Sequence, residues 1–250
     1  MTYWKVFSSA RSTRLAIEGL YSGADAFLIG SSPALLDLDL RLLRAPGVFS
    51  VAINNAATIV EPQIFICMDT TKNFNTNIFT NPRVMKFINY SRHSEQIGGR
   101  KIRTFPNTVF FDFVVGEEGP MMSEFCRIEG PVPFWGSTFF SAIGVLYQLG
   151  FKRIFLIGCT FDTSKSAYAY DHHLDEDDRL KNQALYDDTV EKMKILVPML
   201  DDEGMSIITC QPNTSLDGIC PYVEFDEAIS ECSRSATSLR FNEFINDESQ

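Results

Sequence analysis

The stretch GSTFFSAIGVLYQLGFKRIFLIG, residues 136–158, decides the fold. Its first half is apolar on most faces and stops at Gly150, the residue type that closes a helix. Its second half, KRIFLIG, is a short continuous apolar run, the pattern of a strand buried on both faces. A buried helix running straight into a buried strand is half of a parallel α/β repeat.

The same strand pattern recurs outward from it. DAFLIG ends at Gly30, VFSVAIN at Asn54, PQIFICMD at Asp69 and MSIITC at Cys210, and NTVFFDFVV (107–115) is a further strand candidate. Between 178 and 204 an amphipathic pattern predicts a long helix with Leu180, Leu185, Val190, Met193, Leu196 and Met199 on or near its apolar stripe. Strand and helix alternate, so the expected class is α/β with a mostly parallel sheet in a single domain over 1–250. Residues of about 71–136 are less regular and read as a lid or insertion over a sheet edge. Residues of about 160–180 read as a mobile segment.

Composition narrows the function classes. The formal net charge is −10, so a phosphate backbone is repelled unless a basic patch gathers. Residues 81–103 hold Arg83, Lys86, Arg92, Arg100, Lys101 and Arg103 with His93, and read first as a solvated basic region. The sharper reading is a site for an anionic acceptor, nucleic acid included. No apolar run approaches the ~20 residues of a membrane span, and polar residues interrupt the first twenty throughout, so a cytoplasmic protein is the expectation. The cysteines form no C-x-x-C pair, which indicates neither a zinc site nor a disulfide framework. Oligomeric state, a homo-oligomer included, is left open.

In open α/β sheets, ligands bind beyond the carboxyl ends of the strands. The residues there are Gly30-Ser31-Ser32, Asn54-Asn55, Asp69-Thr70, Gly158-Cys159-Thr160 and Gln211-Pro212-Asn213. Each alone suits a turn. Together they are an amide- and hydroxyl-rich set able to read a nucleobase or ribose, with glycines that let a ligand approach the backbone. Ser137 or Thr138 caps the helix of the opening stretch, where unpaired N–H groups favour an anion. The segment GCTFDTSKSAYAYDHHLDEDD (158–178) sets His172 and His173 beside Asp171, and a histidine next to a carboxylate can serve as general base near neutral pH. D-H-H lacks the spacing of zinc ligands, so no metal is assigned.

The order of motifs, LIGSSPALLDLD, AINNA, ICMD, GSTFFSAIGVLYQLGFKRIFLIGCTFD, AYAYDHH and ITCQPNTSLDG, resembles the small bacterial sialyltransferases. It is similar also to the wider family of motility accessory factors and the archaeal 6-hydroxymethylpterin diphosphokinase. The resemblance covers most of the chain and is poorest in the middle third. It implies a single Rossmann-like domain, a GT-A-like variant with a lid, and inverting transfer of a sugar from a nucleotide-sugar of the CMP type. No cofactor is required in that reading, and a histidine acts as base. Carried over by position, it implies donor contacts at Gly30, Ser31, Ser32, Asn54, Asp69, Ser137, Thr138, Gly158, Thr160, Asp162 and Tyr168. The base falls on His172 or His173, with Asp171 orienting it. This chain departs from the family where Ser31 and Ser32 replace Asn-Gly, Thr160 replaces Asp and Phe139 replaces Gly. The acceptor is a glycan, a small molecule or a modified nucleic acid. The alternative activity is diphosphoryl transfer from ATP with Mg²⁺ to a pterin-like hydroxymethyl group.

Overall fold

The five apolar runs with glycine, amide, carboxylate or thiol ends all form strands. The structure is a computed structural model that describes residues 4–8, 11–74, 76–115, 131–163, 168–170 and 175–235. Its strands are β1 (Trp4–Ser8), β2 (Arg11–Arg14), β3 (Asp25–Ile29), β4 (Phe49–Ile53), β5 (Ile64–Cys67), β6 (Met85–Asn89), β7 (Gln96–Ile97), β8 (Arg100–Lys101), β9 (Thr108–Phe111), β10 (Phe113–Val115), β11 (Val132–Phe134), β12 (Arg153–Ile157) and β13 (Ser206–Thr209). Its helices are α1 (Thr76–Thr80), α2 (Thr138–Gln148), α3 (Glu176–Asp202) and α4 (Phe225–Ser235).

Nine strands make one sheet in the order β13-β12-β3-β4-β5-β6-β9-β1-β2. Every pairing from β13 to β9 is parallel. β1 joins β9 antiparallel, and β2 joins β1 antiparallel. The fold is therefore α/β with a mostly parallel sheet.

Successive side chains on a strand point to opposite faces, and the two faces carry different layers. Ala26 and Leu28 of β3, with Ile154 and Leu156 of β12, pack with Phe140, Ile143 and Leu146 of α2 and with Met193, Leu196 and Leu200 of α3. Phe27, Ile29, Phe155 and Ile157 pack on the other face with Phe225, Ala228 and Ile229 of α4. There Phe27 stacks on Phe155 at 5.1 Å and meets Phe225 edge-on at 5.7 Å. Both central strands are thus covered on both sides, which is why their sequences do not alternate. At the amino end of these strands Arg153 forks onto the buried Asp25 (2.9 and 2.7 Å) and ties α4 through Glu231.

Three features bear on the sequence expectations. First, β6 and β9, both within residues 71–136, are members of the main sheet; residues 116–130 lie outside the described residues. Second, the basic stretch is not uniformly solvated. Lys86 is 0 % exposed on β6 and donates to the Asn81 and Val84 carbonyls, both at 2.8 Å, while Arg92 pairs with Glu95. Third, the buried side of α3 is Thr189, Met193, Leu196, Val197 and Leu200, whereas Leu180 and Leu185 are exposed. α3 is 27 residues long, and its amino-terminal half borders an open cleft instead of the core. Cys67, Cys159, Cys210, Cys220 and Cys232 are buried and form no disulfide. Among the described residues no helix is long and apolar enough to cross a membrane.

Candidate functional site

The chain leaves β3 in one direction, through β4, β5, β6 and β9, and returns to lay β12 and β13 on its other side. The order reverses between β3 and β12. At such a switch point the connections diverge above and below the sheet and open a crevice at the carboxyl ends of the two strands. The residues that end them are Gly30 and Gly158.

These two glycines touch. The Gly30 N–H donates to Ile157 O and the Ser32 N–H to Gly158 O, each at 2.9 Å. A Cβ on Gly30 would stand 2.3 Å from Gly158 O, and one on Gly158 would stand 2.7 Å from Gly30 O. Gly158 also has φ +65°, a left-handed conformation that glycine adopts without cost. The residues that follow are bound together: Thr160 Oγ1 donates to Ser32 Oγ at 2.8 Å, and the buried Gln211 Oε1 accepts from Gly158 N–H at 2.6 Å. Ser215 braces the same loop through Thr160 O and Phe161 O. The floor of the crevice is therefore bare backbone held from three sides.

One wall is the start of α2. Ser137 sits at the N-cap with extended backbone but makes no side-chain capping bond, and its Oγ is buried with no hydrogen-bond partner. The first-turn N–H groups of α2 thus keep their demand for an acceptor. Opposite, Asn54 at the end of β4 adopts φ +47°, and its Oδ1 is also buried with no partner. An unsatisfied buried polar atom costs about 1–3 kcal/mol, so two in one cleft mark a place where a polar ligand would repay that cost.

The other wall comes from α3 and the loop after β12. Asn182, Leu185, Tyr186 and Thr189 line the cleft, as do Phe161, Asp162 and Tyr168. Phe161 is held at φ +53° with Phe139 and Tyr186 packed edge-on against it at 5.1 and 5.7 Å. The Ala169 N–H donates to Ser31 O at 2.6 Å, which ties the tyrosine segment to the floor. Burial pushes the phenols of Tyr168 and Tyr186 above their ordinary values, so both stay protonated and able to donate. Burial likewise raises the Cys159 thiol to about 12 and keeps it from being a nucleophile at neutral pH. Among the described lining residues Asp162 alone carries a formal charge, and none is Lys or Arg. The empty space of the cleft, open mouth included, is about 820 Å³.

The structure brings Gly30, Ser31, Ser32, Asn54, Ser137, Thr138, Gly158, Thr160, Asp162 and Tyr168 into this one cleft. Asp69 is not among its lining residues. It lies two strands from β3, exposed, with its carbonyl accepting from the Cys67 thiol. Asp171, His172 and His173 lie outside the described residues. Sequence reasoning passed over Asn182, Tyr186 and Thr189, although their spacing puts them on one face of α3. A search for an apolar stripe does not find a polar one.

Comparison with protein families and with curated proteins finds no match. Solved structures with a similar arrangement include the sialyltransferase CstII from Campylobacter jejuni in complex with cytidine-5′-monophosphate, at 15 % identity and a TM-score of 0.47, over 80 % of this chain and 85 % of that one. CST-II in complex with a trisaccharide acceptor and CMP matches at 14 % identity and a TM-score of 0.45, over 78 % and 84 % of the two chains. The MAf glycosyltransferase from Magnetospirillum magneticum AMB-1 matches at 12 % identity and a TM-score of 0.48, over 88 % of this chain and 38 % of that one. The chain thus spans about two fifths of the MAf protein. These neighbours come from the two groups that the sequence resembles.

Proposed function

We propose that the cleft binds a nucleotide-sugar and that the protein transfers the sugar to an acceptor hydroxyl. The observation that carries this reading is the meeting of three features at one point. They are the touching backbones of Gly30 and Gly158, the uncapped amino end of α2, and the partnerless buried atoms Ser137 Oγ and Asn54 Oδ1. Bare backbone admits a flat nucleoside, helix N–H groups take a phosphate, and the two orphan atoms take hydroxyl or amine partners. With no Lys or Arg among the described lining residues, one phosphate suits the cleft better than three. That agrees with the CMP-type donor that the sequence resemblance implies.

In the proposed reaction His172 or His173, oriented by Asp171, takes the proton of the acceptor hydroxyl. The freed oxygen attacks the anomeric carbon with inversion. The bond from that carbon to the donor phosphate oxygen breaks, and its electron pair leaves with the nucleotide. Charge grows on that phosphate, where the first-turn N–H groups of α2 and the Tyr168 hydroxyl stabilise it. No metal takes part. Among the described residues no group of three or more His, Cys, Asp or Glu side chains is placed to hold a metal ion.

The test is nucleotide release from CMP-, UDP- and GDP-sugars by the intact chain in excess chelator. Turnover of a CMP-sugar that is lost in the His172→Ala, His173→Ala double variant supports the reading. No turnover or binding of any donor overturns it. AMP release from ATP under strict Mg²⁺ dependence decides for the diphosphokinase.

A further inference from the structure

The cleft wall at the start of α2 has a cation behind it. Lys192 follows Thr189 by three residues on α3, so it continues the stripe of Asn182, Leu185 and Thr189 that faces the cleft. Its Nζ crosses to the other element and donates to the Trp135 carbonyl at 3.0 Å, two residues before the N-cap Ser137. A Cβ on Gly136, between those two residues, would stand 3.9 Å from the same Nζ. Asp188, one turn earlier on α3, accepts from Lys192 at 2.5 Å. An aspartate and a lysine four residues apart are an ordinary helix pair. This pair is not confined to its helix, and the lysine is the more buried partner, its side chain 20 % exposed against 50 % for Asp188.

An ammonium in this place is not neutral for α2. The amino end of a helix already carries about half a positive charge, and a cation beside it is unfavourable unless an anion joins them. The first turn of α2 has no acidic residue, and Ser137 makes no side-chain capping bond. The carboxylate that answers Lys192, Asp188, is half exposed, and solvent and salt screen it. We infer that Lys192 is a positioning residue of the phosphate site: through the Trp135 carbonyl it fixes the turn that leads into α2, and its charge strengthens the pull of the helix end on the donor phosphate. The inference rests on the nucleotide-sugar reading of the cleft. Lys192 is not among the lining residues, so it acts through the turn and through space, not as a ligand of the phosphate.

The readout is the ratio of affinities for a nucleoside 5′-monophosphate and for its nucleoside, taken by calorimetry with whichever of CMP, UMP, AMP and GMP binds best. The nucleoside reports an intact cleft, and the ratio isolates the phosphate. Wild type prefers the monophosphate. Lys192→Met lowers that preference about three- to tenfold at low salt, and added KCl shrinks the loss. Asp188→Asn breaks the same ion pair from the other side but leaves the cation. It therefore holds the preference at the wild-type level or raises it by up to about threefold. Lys192→Arg keeps the charge and stays within about twofold of wild type. A pair that served α3 alone would make Lys192→Met and Asp188→Asn move together. The inference is overturned if these two variants lower the ratio alike, or if Lys192→Met leaves it unchanged. It is overturned equally by a loss that salt does not shrink, or by Lys192→Arg falling as far as Lys192→Met. A wild type that binds none of the nucleotides, or shows no preference for the monophosphate, removes the nucleotide reading itself and the inference with it. That failure is read from the wild type alone.

Discussion

Replacing Gly30 by alanine tests the architecture of the cleft floor. The new Cβ would stand 2.3 Å from Gly158 O and 2.8 Å from Cys159 Sγ. The first neighbour is backbone at the end of a strand paired in register with β3, so neither side can turn away. Forcing atoms into a packed site costs roughly 1–3 kcal/mol, and with rigid backbone as the obstacle the upper end, about 3 kcal/mol, is expected. For a chain of this size about 2–4 °C of melting temperature goes with each kcal/mol, so the midpoint falls by roughly 6–12 °C. Gly158→Ala adds a conformational cost of about 1–2 kcal/mol, since Gly158 has φ +65° and its Cβ would stand 2.7 Å from Gly30 O. Gly19 is the matched control. Its φ is +71°, but nothing lies within 4 Å of its Cβ, so Gly19→Ala bears the conformational cost alone. Urea unfolding gives the three values, with an unchanged m-value confirming that stability is what moved. The reasoning is refuted if Gly30→Ala unfolds within about 0.5 kcal/mol of wild type, or if Gly158→Ala costs no more than Gly19→Ala.

Lys86 gives a pH prediction. Burial lowers its folded-state value to about 8, against ~10.5 for an unperturbed lysine. Between these values the unfolded chain binds the proton and the native chain does not. Stability therefore rises with pH across that window and the penalty is fully present below it. The stability difference between wild type and Lys86→Met should shift in favour of wild type by on the order of 2–3 kcal/mol between pH 7.5 and pH 10.5, and a pH-independent difference contradicts this. Asp25 accepts two bonds from Arg153 and is 7 % exposed. Asp25→Asn strips the charge at constant shape and should cost about 2 kcal/mol in urea unfolding; a neutral outcome would show the fork to be idle.

The central sheet is legible in the sequence because β3, β4, β5, β12 and β13 are buried on both faces and so read as unbroken apolar runs. Their polar ends locate the cleft, since Gly30 and Gly158 mark the close approach of two backbones and Asn54 adopts a left-handed turn. β6 escapes notice because Lys86 and Asn89 interrupt it. Both are buried and hydrogen-bonded, a solution that residue type alone does not announce. β1 escapes because it is short and mixes apolar with polar residues (WKVFS) where a continuous apolar run is sought, and β2 escapes because RSTR at the sheet edge is polar throughout. The inward face of α3 escapes for a different reason. Asn182, Tyr186 and Thr189 face a cleft, so the helix there buries polar groups where an amphipathic reading looks for Leu180 and Leu185. Asp69 shows the converse limit. A strand end is a site only near the switch point, and strand order is a tertiary fact.

Where a nucleotide sits on the molecule decides the function of the cleft. A crystal structure of the chain soaked with CMP is the most direct measurement. It should show the phosphate accepting hydrogen bonds from the first-turn N–H groups of α2 beside Ser137, the nucleoside over Gly30 and Ser31, and Asn54 Oδ1 in a hydrogen bond. Nucleotide density anywhere else on the molecule, or a cleft that stays empty under saturating CMP, would contradict it.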